Sequence, residues 1–194
     1  MKILFIANFF PRHAETFILE QVNSLIESGN DVQVLVLVSG EEDAFGERSL
    51  RNGVPERMID GTVFGRPLSR RIGPTIRGGV RALGRHPNIL NIMRHGRRSL
   101  RGQLASVLDQ VGPLGRFDVI YTVFGPAGIT AEALRDSGLC EGPIVSNFLG
   151  YDVTREVRLN GSGQYQRLFR KAALLLPNSE HLRRRMLDIG APAD

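Results

Sequence analysis

The chain has 194 residues, 42% of them hydrophobic, with 25 Lys and Arg against 20 Asp and Glu for a net charge of +5. That length can bury roughly 70% of the unfolded surface around a real core, and the composition is that of an ordinary globular protein. The charge and cysteine counts exclude more: no apolar run reaches the ~18 residues of a membrane helix, and a single cysteine, Cys140, cannot form an internal disulfide.

Residues 2–8, KILFIAN, read as a buried first strand, short and almost continuously apolar. No small-residue cleavage site follows its five strongly apolar residues, so no signal peptide is expected and the expected compartment is the cytoplasm. Residues 16–28 predict a helix with Ile18, Val22, Leu25 and Ile26 on one face and Glu20, Asn23 and Glu27 turned away. Gly29-Asn30 stops it, and the β-branched run DVQVLVLV, 31–38, predicts the second strand of a parallel βαβ unit. One short strand is expected near Arg57–Val63.

From Arg66 to Arg101 there are ten arginines and no acid. Apolar residues recur there at helical intervals but are cut by Gly73-Pro74, Gly84 and Pro87, which predicts two helices, the second from about Pro87 to Gln110. No aromatic platform or recognition motif accompanies the arginines, which disfavours nucleic acid. A basic, partly amphipathic face against anionic lipid headgroups is the more economical reading, with Arg94, Arg97, Arg98 and Arg101 facing the membrane. A merely solvated face weighs equally.

Alternation then resumes. FDVIYTVF (117–124), PIVSNFL (143–149) and ALLLP (173–177) predict strands; 126–137, 164–171 and 179–189 predict helices. The sum is an α/β protein: a Rossmann-like, doubly wound, mostly parallel sheet of five to six strands with helices on both faces, in one domain spanning 1–194. Such sheets bind ligands beyond the carboxyl ends of their strands. Four loops, 9–15, 124–128, 149–154 and 177–180, should therefore share one edge.

In the first loop a helix N-terminus beside Arg12 and His13 suggests a site for phosphate or sugar hydroxyls, with Glu15 or Thr16 capping the helix. An ordinary solvated cap is the plain alternative. No G-x-G-x-x-G is present, so a dinucleotide is disfavoured. Gly125 and Gly128 in FGPAG bring backbone close to a ligand or simply make a tight turn. Gly150 and Asp152 close the third strand, where a carboxylate can orient a hydroxyl, act as a base or cap the next segment. Asn178 or Ser179 caps the last helix and completes the candidate binding set. No metal-ligand spacing occurs, and His86, His95 and His181 stand isolated.

In this order, FPRHAETFILEQVNSLIESGNDVQVLVL, FDVIYTVFGPAG, SNFLGYDVTRE and QYQRLFRKAALLLPNSEHLRRRMLDIGAP resemble the N-terminal half of GT-B glycosyltransferases of family 4. The likeness is closest to the branch that builds bacterial exopolysaccharide, including colanic-acid-type transferases. The resemblance implies an acceptor-binding domain whose partner is a second, nucleotide-sugar-binding domain absent from this chain. It implies a retaining transfer, and a fragment inert by itself. It assigns no cofactor to this domain; the nucleotide-sugar donor belongs to the full enzyme. Further partners implied are a sugar or lipid-linked acceptor and an anionic membrane surface, with the protein peripheral on the inner face. Asp152 is the candidate catalytic residue. Two family histidines are missing: Val123 and Leu149 stand in their places. That departure keeps a rival open, a non-catalytic module binding an anionic ligand, a lipid surface or a protein partner.

Overall fold

The computed structural model describes residues 1–61, 68–85 and 103–193. Strand β1 (Lys2–Phe10) leads through helix α1 (Thr16–Glu27) to β2 (Asp31–Ser39), then through a short α2 (Glu47–Arg51) to β3 (Met58–Asp60). Helices α3 (Leu68–Arg85) and α4 (Gln103–Gln110) precede β4 (Gly115–Arg116) and β5 (Val119–Val123). There follow α5 (Gly125–Asp136), β6 (Cys140–Glu141), β7 (Ile144–Phe148), α6 (Tyr151–Asn160), α7 (Gln166–Lys171), β8 (Leu174–Pro177) and α8 (Glu180–Asp188).

The main sheet is six-stranded, ordered β3-β2-β1-β5-β7-β8, and every pairing is parallel. β4 and β6 form a separate two-stranded ladder. This is the doubly wound α/β architecture expected, with its strand order reversing on either side of β1.

Alternation along β1 builds two cores. Leu4 and Ile6 point to the side that also holds Leu104, Ala131, Phe148 and Leu168. Ile3, Phe5 and Ala7 point to the side holding Ile18, Leu19 and Val22 of α1. A strand buried on both faces cannot carry polar residues in its middle; the buried run 3–7 has none, and the polar Asn8 follows where burial lessens.

Several boundaries differ from expectation. β1 runs two residues further, to Phe10, because Phe9 and Phe10 still pair with Val38 and Ser39; Phe10 is buried and Phe9 exposed. The amide nitrogen of Gly40 bonds the Phe10 carbonyl at 3.0 Å and that of Glu41 bonds the Pro11 carbonyl at 2.8 Å, which ties the first loop to the chain leaving β2. The Phe10–Pro11 peptide is cis. Asn23 is buried rather than exposed, because it donates to Ser49 Oγ at 3.0 Å and accepts from Asn52 at 2.9 Å, joining α1 to the segment around α2.

Residues 149–154 are not all loop: α6 starts at Tyr151. Helix α3 runs through Gly73-Pro74, which had been expected to cut it. A proline there forfeits one backbone hydrogen bond; α3 packs against α4. Of the helix expected over 87–110, Gln103–Gln110 is described. Arg94, Arg97, Arg98, Arg101, His86 and His95 lie outside the described residues.

Candidate functional site

The crevice where strand order reverses, between β1 and β5, is where such sheets accept ligands. It is flanked by the segments leaving those two strands, with the segment after β7 next to them.

In the first segment the basic residues are already engaged. The Arg12 guanidinium lies 5.3 Å from the centre of the Phe9 ring and 3.5 Å from Glu15 Oε1. The His13 amide donates to the Glu41 carboxylate at 2.9 Å, and its ring nitrogen Nε2 lies 3.3 Å from Asp43. His13 thus faces acids from the chain after β2. Glu15 occupies the N-cap position of α1 without a side-chain cap bond, and Thr16 is the first helical residue, exposed. Glu15 is only one-fifth exposed, and burial raises its carboxyl above the usual range, with Arg12 opposing the shift.

The two glycines after β5 pack against the domain's own side chains. A Cβ on Gly125 would sit 2.6 Å from the Tyr165 ring and 2.7 Å from the Phe148 ring; on Gly128 it would sit 2.6 Å from Ser146 Oγ. Asp152 is fully buried. Its carboxylate accepts from the amides of Gly150 at 2.8 Å, Leu149 at 3.1 Å, Val153 at 3.2 Å and Gly125 at 3.2 Å. One side chain therefore ties the start of α5 to the start of α6, a role that uses its acceptor capacity on backbone donors. Gly150 takes φ 134°, open to glycine and strained for any other residue.

Beside the crevice, one buried ring meets two exposed ones, none of which sequence reading singled out. Phe124 holds φ 71° although it is not glycine, a strained conformation of the kind found at functional sites. Its ring centre lies 4.8 Å from that of Tyr151 and 6.3 Å, edge-on, from that of Phe17. Tyr151 and Phe17 are each over a third exposed. The Tyr151 hydroxyl lies near the Asn8 side chain, close to the end of β1. Burial pushes that hydroxyl up to about 12; the nearby Asn8 side chain opposes the shift, and the charges of Asp152, Glu156 and Glu15 add to it. Aromatic faces beside an amide, a phenol and a carboxylate suit a polyhydroxylated ring, whose C–H face stacks and whose hydroxyls need polar partners.

The positions of the two missing histidines are filled by packing. Val123 is fully buried, and Leu149 lies against the same core as α1. In the fourth loop Asn178 is bound back to the β7 segment, its amide nitrogen to Phe148 O at 3.3 Å and its side chain to Leu149 O at 3.5 Å. Ser179 Oγ accepts from Leu182 N at 3.2 Å and caps α8, as expected. A groove of about 580 Å³ beside α1, lined by Ile3, Leu25, Val119 and Tyr121, opens near the amino ends of the strands. It lies away from the crevice described above. No helix among the described residues is long and apolar enough to cross a membrane.

Three curated relatives align with the whole of this chain. A protein of Escherichia coli K12 named as a colanic acid biosynthesis glycosyltransferase, WcaL, is 33% identical over 199 residues, and its Salmonella typhimurium namesake is also 33% identical. The amylovoran biosynthesis glycosyltransferase AmsK of Erwinia amylovora is 28% identical over 207 residues. The chain spans about half the length of each, 48%, 48% and 49%. No family model matches it, and no solved structure matches it significantly.

Proposed function

From a chain related over its full length to glycosyltransferases named for exopolysaccharide synthesis, we propose that it is the acceptor-binding half of a nucleotide-sugar-dependent transferase of bacterial surface polysaccharide. It would work with a second domain that holds the donor, in the GT-B manner, retain the anomeric configuration, and act on a lipid-linked acceptor at the inner face of the membrane. The observation that carries the reading is the cluster of Asn8, Glu15, Phe17, Phe124 and Tyr151 beside the strand-order reversal.

In this reading the acceptor sugar lays its C–H face on Tyr151, whose ring the buried Phe124 backs from the core side. Asn8 and the Tyr151 hydroxyl bind its hydroxyl groups. Glu15 accepts a hydrogen bond from the attacking hydroxyl and orients it toward the donor's anomeric carbon. Asp152 acts through position, holding Gly125 and the start of α6 so that Phe124 and Tyr151 meet. Val123 and Leu149 cannot donate to phosphate oxygens. Stabilising the leaving diphosphate therefore falls to Arg12 and to the donor-side domain.

Glu15→Gln in the complete protein tests this. Transfer should fall roughly hundredfold or more. Because burial raises the Glu15 carboxyl, the wild type should lose activity as pH falls through that raised value, and the Gln variant should lack this acid limb. Unchanged turnover and an unchanged acid limb would remove Glu15 from the mechanism. The apolar residues at positions 123 and 149 favour one rival, a non-catalytic binding module. A complete protein that binds acceptor sugar but transfers nothing from any nucleotide sugar would establish it.

A further inference from the structure

Helix α3 packs by its small residues. Gly78 and Ala82 are buried, and a Cβ added at Gly78 would collide with the Ala105 carbonyl of α4. The large apolar residues of the same helix point the other way. Ile72 is 54% exposed, Ile76 63%, Val80 67% and Leu83 71%. At about 100° per residue these four fall within an arc of about 80° and extend over about 17 Å. Ordinary surface helices bury their large apolar face and expose small or polar residues, so this helix is inverted. The orientation is fixed rather than incidental. Arg77 Nη2 and Arg81 Nη1 each lie 2.8 Å from the nearly buried Asp109 carboxylate of α4, and close approach at Gly78 admits no larger side chain.

We propose that the outer face of α3, Ile72, Ile76, Val80 and Leu83, is a membrane-docking surface that enters the headgroup–acyl boundary of an anionic lipid bilayer. The charge of the sequence that carries the stripe selects that occupant. No acid occurs between Asp60 and Asp109, a span holding ten arginines. Arg77 and Arg81, 64% and 60% exposed, share one carboxylate, which leaves positive charge on the flank of the stripe. An apolar stripe bordered by arginine, with the helix axis in the interface plane, is how a helix lies on an anionic surface without spanning it. Arginine stems can lie along an apolar boundary while the charged heads stay in the polar layer. The docking face deepens the lipid-linked acceptor reading and rests on it only for purpose. Its residues are distinct from those of the crevice.

The test uses this chain with vesicles of phosphatidylglycerol and phosphatidylcholine, and with phosphatidylcholine alone. Wild type should co-sediment with the mixed vesicles and little with the neutral ones, and salt should weaken binding. Ile76→Ser with Val80→Ser should lower partitioning at least tenfold, while circular dichroism and Tm stay at wild-type values because both positions are exposed. Tyr151→Phe should bind vesicles normally; in the complete protein, a transfer defect in that variant with normal binding, or the converse in the α3 variant, separates the two readings. The proposal is overturned by absent binding, by equal binding to neutral vesicles, or by a stripe variant that binds like wild type. A concentration-dependent dimer that the serine substitutions abolish would also overturn it, by making the stripe an interface between copies.

Discussion

Helices α1 and α3 are both amphipathic, and they use their apolar faces in opposite ways. α1 sets Ile18, Leu19 and Val22 into the core beneath β1 and β2. α3 sets Gly78 and Ala82 against its neighbour and leaves Ile72, Ile76, Val80 and Leu83 outside. Periodicity in a sequence reports that an apolar face exists. It does not report whether the domain itself covers that face.

The sharpest way to break this comparison is to truncate one isoleucine on each helix. Ile18→Ala should cost about 2–5 kcal/mol, because a fully buried side chain leaves a cavity in close-packed surroundings. Ile76→Ala should change stability by no more than about 0.5 kcal/mol. Urea denaturation of the two variants measures the difference, and equal losses would mean that the α3 stripe is covered within the domain.

Neighbouring glycines sharpen the same contrast. Gly78→Ala should destabilise by about 1–3 kcal/mol, because the new methyl meets the Ala105 backbone and α3 must move. Gly79→Ala meets nothing within 4 Å and should be neutral or stabilise by up to about 1 kcal/mol through helix propensity. Thermal melts of the pair check both signs.

A further effect is an alkaline one and belongs to Cys140, Tyr151 and Tyr165. Burial pushes the Cys140 thiol up to about 12, pushes Tyr151 up to about 12, and raises Tyr165 further. Each group is neutral when protonated, and the folded state keeps its proton longer than the unfolded state. The stability they contribute is therefore complete below about pH 9 and is lost as pH rises toward 12, at no more than about 1.4 kcal/mol per pH unit for each group. Urea midpoints measured from pH 8 upward should fall for wild type and fall less steeply for Cys140→Ala.

Much of the fold was legible because its signals are local. KILFIAN and DVQVLVLV carry continuous apolar runs, Gly29 follows α1 at φ 79°, and Ser179 caps α8. The start of α6 was not legible. Gly150 and Asp152 look like loop chemistry, although Val153 and Val157 four apart and the stop at Gly161 were available signals. The site was legible only in outline. Arg12, Glu15 and Asp152 were singled out by residue type, but residue type does not reveal that four backbone amides occupy Asp152 or that acids face His13. The approach of Asn8 to Tyr151, and the tilted contact of the Phe124 and Tyr151 rings, join segments far apart in sequence. Only the sheet's strand order brings them together.

The most direct test of that crevice is the acceptor dependence of transfer by the complete protein carrying Tyr151→Ala, with its Tm measured alongside. Loss of the ring and its hydroxyl should raise the KM for acceptor at least roughly tenfold and leave the KM for the nucleotide sugar unchanged. A variant of wild-type Tm with an unaltered acceptor KM would contradict the account.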